Sequence, residues 1–268
     1  MLAFVESIQT SSIMLAIIFY WRVQVSIRNI FVLLILTILF AGCANRHISE
    51  PLKGNRIAVI SNFRDKALFQ RAGTTTADNI SFYRGIPKFR INPLVVTSVA
   101  NDIYKNRTHR VIPIYHHTNH DLLTLDVSRQ HRVTPEYHAY LSQLIAGKNI
   151  DSIVLIVPDT MDFGDGQYDG AIWSAAGYGL FNHDFVFIHT NKIFTAYMAY
   201  VIDAHTYRVI ARSRGEFEKR THDADIAWHK GYSGVTAKTL RVVKSVIKKE
   251  LPAVLKITIR KLGLTGSE

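Results

Sequence analysis

His116, His117, His120 and Asp121 place three imidazoles and a carboxylate within one short run. Neutral imidazole together with carboxylate suits zinc or another divalent ion. The spacing of four from His116 to His120 chelates well only on a helix, and the residues just before it, Arg110 to Tyr115, read as a strand. Exposed loop histidines are the stronger reading, and a metal-dependent enzyme centred on His116, His117 and His120 is the alternative. Asp165-Gly166-Gln167-Tyr168-Asp169-Gly170 has the oxygens and glycine of the front half of a calcium loop, but Ala176 stands where its bidentate Glu belongs. Gly231-Tyr232-Ser233-Gly234-Val235 lacks the second flanking glycine of a nucleophile elbow. Neither a phosphate-cradling Gly-x-x-x-x-Gly-Lys nor a His-Glu-x-x-His occurs. No motif asks for a cofactor, and the chain reads as non-catalytic.

Aromatic residues offer a different chemistry. Between Pro158 and Asn182, five glycines interleave with Phe163, Tyr168, Trp173, Tyr178 and Phe181. A long loop in a compact domain tends to be functional, and aromatics on adaptable backbone suit a partner-binding surface. The alternatives are a partly buried flap over the sheet, or a strand pair hidden by glycine.

Cys43 is the only cysteine, and it follows an apolar run, Ile30 to Ala41, through Phe40-Ala41-Gly42. About twelve apolar residues fit a signal segment and fall short of the roughly 20 that span a bilayer. Arg22 and Arg28 precede the run, and no acidic residue lies between Glu6 and Glu50. Positive charge before such a run holds that end in the cytoplasm. The junction resembles the lipobox of bacterial lipoproteins, with Phe40 in place of the usual Leu. The resemblance implies diacylglycerol on the Cys43 thiol, cleavage before it, and Cys43 as first mature residue. Ala44 rather than Asp after the cysteine implies the outer membrane, facing the periplasm; an uncleaved anchor in the inner membrane is the alternative. Residues 1–42 are thus a leader, with translation expected to start near Val25, and residues 43–55 a lipidated tether.

The remaining 56–268 is long enough to bury a full core as one domain, with no second cysteine to staple it. Formal net charge is +11. Lys238 to Glu268 carries eight basic residues against Glu250 and Glu268. In an exported protein that charge points to anionic lipid, an acidic envelope polymer or a solvated helix face, and not to nucleic acid.

Hydrophobic patterning gives the elements. Arg56 to Ser61 and Asp151 to Val157 are buried strands, and Arg110 to Tyr115 is an edge strand because Pro113 removes a donor. Asn92-Pro93 reads as an N-cap opening a helix to about Asn106, and Thr134-Pro135 opens another that stops at Gly147. Asp65 to Arg71 is one or two helical turns. Phe185 to His189, Phe194 to Asp203 and Arg208 to Glu218 form an antiparallel meander, with a turn at Asp203 to Tyr207. A basic helix runs from about Val235 to Glu250, broken by Pro252, with a second helix over Ala253 to Leu262.

The result is an α/β chain: a mixed sheet of five to six strands, an antiparallel meander, and three or more packed helices. Three segments carry a further resemblance: Arg56 to Ser61, Asn149 to Val154, and Tyr200-Val201-Ile202-Asp203-Ala204-His205-Thr206. With them the chain resembles envelope lipoproteins that share the fold of the curli secretion lipoprotein, the activators of penicillin-binding proteins, and the amino-terminal domain of the Tol translocation protein. Their motif Val-Asp-x-x-Thr-Gly has Tyr207 here in place of glycine. The resemblance implies binding of an envelope protein partner or assembly, with homo-oligomers among the options, and supplies no catalytic residue.

Overall fold

Three strands read from the sequence line up in parallel at one end of the main sheet. The computed structural model describes residues 54–105, 109–125, 131–163, 173–185, 188–222 and 235–265, all within one compact unit, Ile48–Glu268. Strand β1 (Arg56–Ser61) pairs parallel with β4 (Arg110–Pro113) on one side and β5 (Ser152–Pro158) on the other. Alternation sends Ile57, Val59, Val154 and Ile156 to one face and Ala58, Ile60, Ile153 and Leu155 to the other, so both faces need cover. Helices α1 (Ile91–Tyr104) and α3 (Ala237–Lys261) cover the first face, and α2 (Pro135–Ile145) the second. As expected from Pro113, β4 is an edge strand.

The mixed α/β class is as read from the sequence, but the main sheet has eight strands rather than five or six. The additional ones are β2 (Ala67–Ala72), β3 (Ile80–Arg84) and β8 (Tyr178–Phe185); β6 (Thr160–Asp162) and β7 (Ser174–Ala176) form a separate hairpin. Asp65 to Arg71 is therefore mostly strand and not helix. The change of state comes from tertiary pairing, because β2 lies between β3 and β8 with Leu68 and Phe69 buried.

The meander is longer than its sequence pattern. Strand β9 (Ile188–Asp203) extends roughly 50 Å at about 3.4 Å per residue. Strand β10 (Val209–Thr221) runs along one edge of it. On the other edge β8 pairs with Ile188 to Thr195, and β5 pairs with Tyr197 to Asp203. A strand has only two edges, so β5 and β8 meet end to end and the sheet forks. The changeover residue is Ala196, whose N–H donates to Gly177 O at 2.7 Å and whose carbonyl accepts from Asp159 N at 3.0 Å. Gly177 makes the corner with φ +83°, a left-handed conformation that side chains disfavour.

Two helix boundaries differ from expectation. Arg90, not Asn92, is the residue before α1, which frees the Asn92 side chain for the contacts described below. Helix α3 continues through Pro252 as one element. An interior proline costs about 3 kcal/mol, and Leu255 and Ile259 beyond it are fully buried, each contributing roughly 1.5–3 kcal/mol. Packing therefore outweighs the break. Tyr207, where the resembled motif has glycine, takes a glycine-like φ of +54°. Its hydroxyl accepts from Ser142 Oγ at 2.7 Å and its ring meets that of His138 at 4.0 Å.

Candidate functional site

Where the two halves of the sheet part, the chain leaves an open cleft of about 350 Å³. Its walls come from five segments: Phe63, Arg64 and Lys66 after β1; Tyr83 of β3; His120 to Thr124; Pro158 to Thr160 after β5; and Ala176 to Tyr178 before β8. It thus lies beyond the carboxyl ends of two parallel strands, at a point where sheet connectivity changes, the position at which open α/β sheets take ligands.

Two buried asparagines hold the β1 end of this cleft. Asn92 Oδ1 accepts from Ser61 Oγ at 2.7 Å and from Phe63 N at 2.8 Å, while its Nδ2 donates to Phe63 O at 2.8 Å and Thr118 Oγ1 at 2.9 Å. Asn62 Oδ1 accepts from Asn119 N at 2.9 Å, and its Nδ2 donates to the carbonyls of Asn119 and Leu122. Together they satisfy backbone groups that no strand reaches and fix the His120 turn against β1.

The floor is aromatic: Phe63 and Tyr178 meet edge to face at 6.1 Å, and Phe89 backs Tyr178 at 6.3 Å. Burial, then the nearby Asp65 charge, pushes the Tyr178 phenol far above its ordinary range, so it stays neutral. At the rim, the Arg64 guanidinium lies 4.9 Å over the ring of Tyr83, which is 44% exposed. Lys66, which is exposed, adds a second cation. Asp159 on the opposite wall is engaged by Arg214 at 3.1 Å, whose guanidinium also donates to Thr160 O. The Arg64, Lys66 and Tyr83 side of the rim thus offers cations and an aromatic platform above an apolar floor, with Asp121 and the Arg214-bound Asp159 also in the lining, and that side suits an acidic, partly apolar group.

The expected site residues scatter. Phe163 and Phe181 stack at 4.3 Å and, with Phe194, form a buried apolar cluster against which Trp173 packs. They pack in the core of β8, β9 and the β6–β7 hairpin and not on an exposed face, so the strand-pair alternative describes the backbone of this segment and the buried-flap alternative its aromatics. Tyr178, also buried, is the one of the four described aromatics that lines the cleft. Tyr168, the calcium-like run Asp165 to Gly170, and the junction Phe40, Ala41, Gly42 and Cys43 lie outside the described residues.

The histidines do not converge. His116 turns toward Tyr140, whose hydroxyl lies 3.0 Å from Nδ1, and His117 is exposed. Burial raises the Tyr140 phenol well above its ordinary range, so it remains a protonated partner for that imidazole. His120 and Asp121 face the cleft. Among the described residues no three His, Cys, Asp or Glu side chains are placed to hold a metal ion.

No protein-family model matches the chain, and no curated protein matches it. Among solved structures it is similar to a bacterial protein from Xanthomonas campestris of the DUF330 family, at 9% identity and a TM-score of 0.35, over 79% of this chain and 88% of that one. A hypothetical protein from Chlamydia trachomatis is similar at 9% identity and a TM-score of 0.32, over 79% of this chain and 94% of that one. At such TM-scores neither bears on what this chain does. Among the described residues no helix is long and apolar enough to cross a membrane.

Proposed function

We propose that this chain is a lipid-anchored protein of the bacterial envelope whose α/β domain binds, and does not transform, an envelope protein partner through the cleft at the sheet fork. The observation that carries the reading is the rim itself: Arg64 over Tyr83, with Lys66 beside them, above the Phe63 and Tyr178 rings. The partner group that fits is an extended polypeptide segment bearing a carboxylate and an apolar side chain. Carboxylate would meet the guanidinium and ammonium, and the apolar group would enter over the rings.

The anchor rests on the sequence around Cys43: one thiol, two small residues before it, and a short apolar run before those. Mass spectrometry of the mature amino terminus from the native host tests it. A diacylglycerol-modified Cys43 is the expected result, with Cys43→Ser releasing or mislocalising the protein; an unmodified, uncleaved leader would contradict it.

A further inference from the structure

From Ile210 to Thr221 the outer edge of β10 pairs with nothing among the described residues. Among the described residues only its start is covered, where Val209 N donates to His131 O and Arg132 bridges Arg208. An open edge of this length is a template for another strand. Charges on edge strands normally guard against such pairing, and guards of a single sign repel a second copy. Here the sign reverses along the strand. Its solvent face carries Arg212, Arg214, Glu216, Glu218 and Arg220 in that order, all exposed, with Gly215 at the midpoint of the first four.

We propose that two copies of this chain pair antiparallel along β10, about a two-fold axis at Gly215. In that register Arg212 faces the partner's Glu218 and Arg214 faces the partner's Glu216, and symmetry repeats both contacts. A slip that keeps the same face outward destroys the match: Glu216 then faces the partner's Glu216 and Arg212 the partner's Arg220, or Arg214 faces the partner's Arg214. Of these three registers only the Gly215 one brings no like charges together, Arg220 facing the partner's Ile210, so the strand specifies both its partner and its register. Arg214 is already bonded within its own chain to Asp159 at 3.1 Å, to Thr160 O and to Glu216 at 3.0 Å, so its contact with the partner runs through Glu216, and the exposed Arg212 is the cation left to meet the partner directly.

The helix above the edge supports the same occupant. Lys219 of β10 bonds Glu250 of α3 at 2.5 Å, whereas Lys244 on another side of the helix reaches the carbonyls of Pro87 and Lys88. The Glu250 flank is therefore the one next to the open edge. Ile257, seven residues on, shares that flank and is 54% exposed, which leaves an apolar contact for the partner's helix beside the paired strands.

Sedimentation equilibrium of the full-length protein in density-matched detergent tests this. The wild type is expected to be a dimer. Arg212→Glu and Glu218→Arg each set two like-charge pairs face to face and should weaken the dimer by at least about tenfold. An equimolar mixture of the two variants restores opposite charges at both contacts and should recover a dimer with one chain of each. A monomeric wild type overturns the proposal, as does a dimer that both variants retain or variants whose mixture stays monomeric. Glu218 also pairs with the buried Lys192, at 3.3 Å. If Glu218→Arg does not fold, the exposed Arg212→Glu decides alone: retention of the dimer by that variant overturns the proposal.

Discussion

Asn92 shows how much of the cleft depends on one amide. Two of its four hydrogen bonds reach Phe63 N and Phe63 O, just past the end of β1, and the others reach Ser61 and Thr118. Asn92→Ala would leave Phe63 N without its acceptor, whereas Phe63 O keeps the Thr118 hydroxyl at 2.7 Å, so a loss of about 1–3 kcal/mol is expected by urea denaturation. A loss under 1 kcal/mol would show that the clamp is incidental. Asp203 is a second such point. Burial alone would raise its carboxyl, but hydrogen bonds from the Thr206 and His205 amides outweigh that and hold it below the ordinary carboxylate value. A lowered folded pKa adds stability above the unfolded value, about 3.9, and that stability is lost as pH falls through the folded value. Asp203→Asn should therefore be less stable than wild type at pH 7, with the gap narrowing as pH drops below about 4. A gap independent of pH would refute the assignment.

Strand pairing decides what the cleft is made of. Gly179 of β8 sits so close to β2 that a Cβ there would lie 1.7 Å from Leu68 O, a backbone atom that cannot swing aside. Gly179→Ala should separate β2 from β8 and cost more than the 1–3 kcal/mol typical of overpacking, seen as a large drop in thermal midpoint; a neutral effect would mean the two strands are not in register. At this scale the sequence was legible in part. The buried strands β1 and β5 and the helix opened by Thr134-Pro135 stand where apolar runs and capping residues placed them, because those signals are local. Strand β2 was not legible, since Ala-Leu-Phe-Gln-Arg-Ala has no strand alternation of its own and takes its state from β3 and β8. The run of α3 past Pro252 was hidden for a similar reason: the buried stripe beyond the proline outweighs it. Tyr178 was singled out as an aromatic on a loop, yet it opens a strand and its ring forms the cleft floor. Arg64, Lys66 and Tyr83 carried no sequence signal, because the cleft joins segments far apart in the chain. The ends of predicted parallel strands would have been the place to look.

Across the whole molecule, basic side chains stand in two different settings. Arg241, Lys248, Lys249, Lys256, Arg260 and Lys261 are exposed on α3, opposite its buried stripe, which is the solvated helix face expected of an amphipathic element. Arg64 and Lys66 are different in kind, since they stand at the mouth of a cleft over aromatic rings. That contrast underlies the central claim, that the fork cleft takes an envelope partner. The most direct measurement is site-specific photocrosslinking in the native host, with the photoreactive residue at Tyr83 on the rim and, as control, at Tyr104, which is 68% exposed at the end of α1. The account predicts a discrete protein adduct from position 83 that disappears when Arg64→Glu and Lys66→Glu are added, and no such adduct from position 104. The same adducts from both positions, or an adduct from 83 indifferent to the loss of both cations, would contradict it.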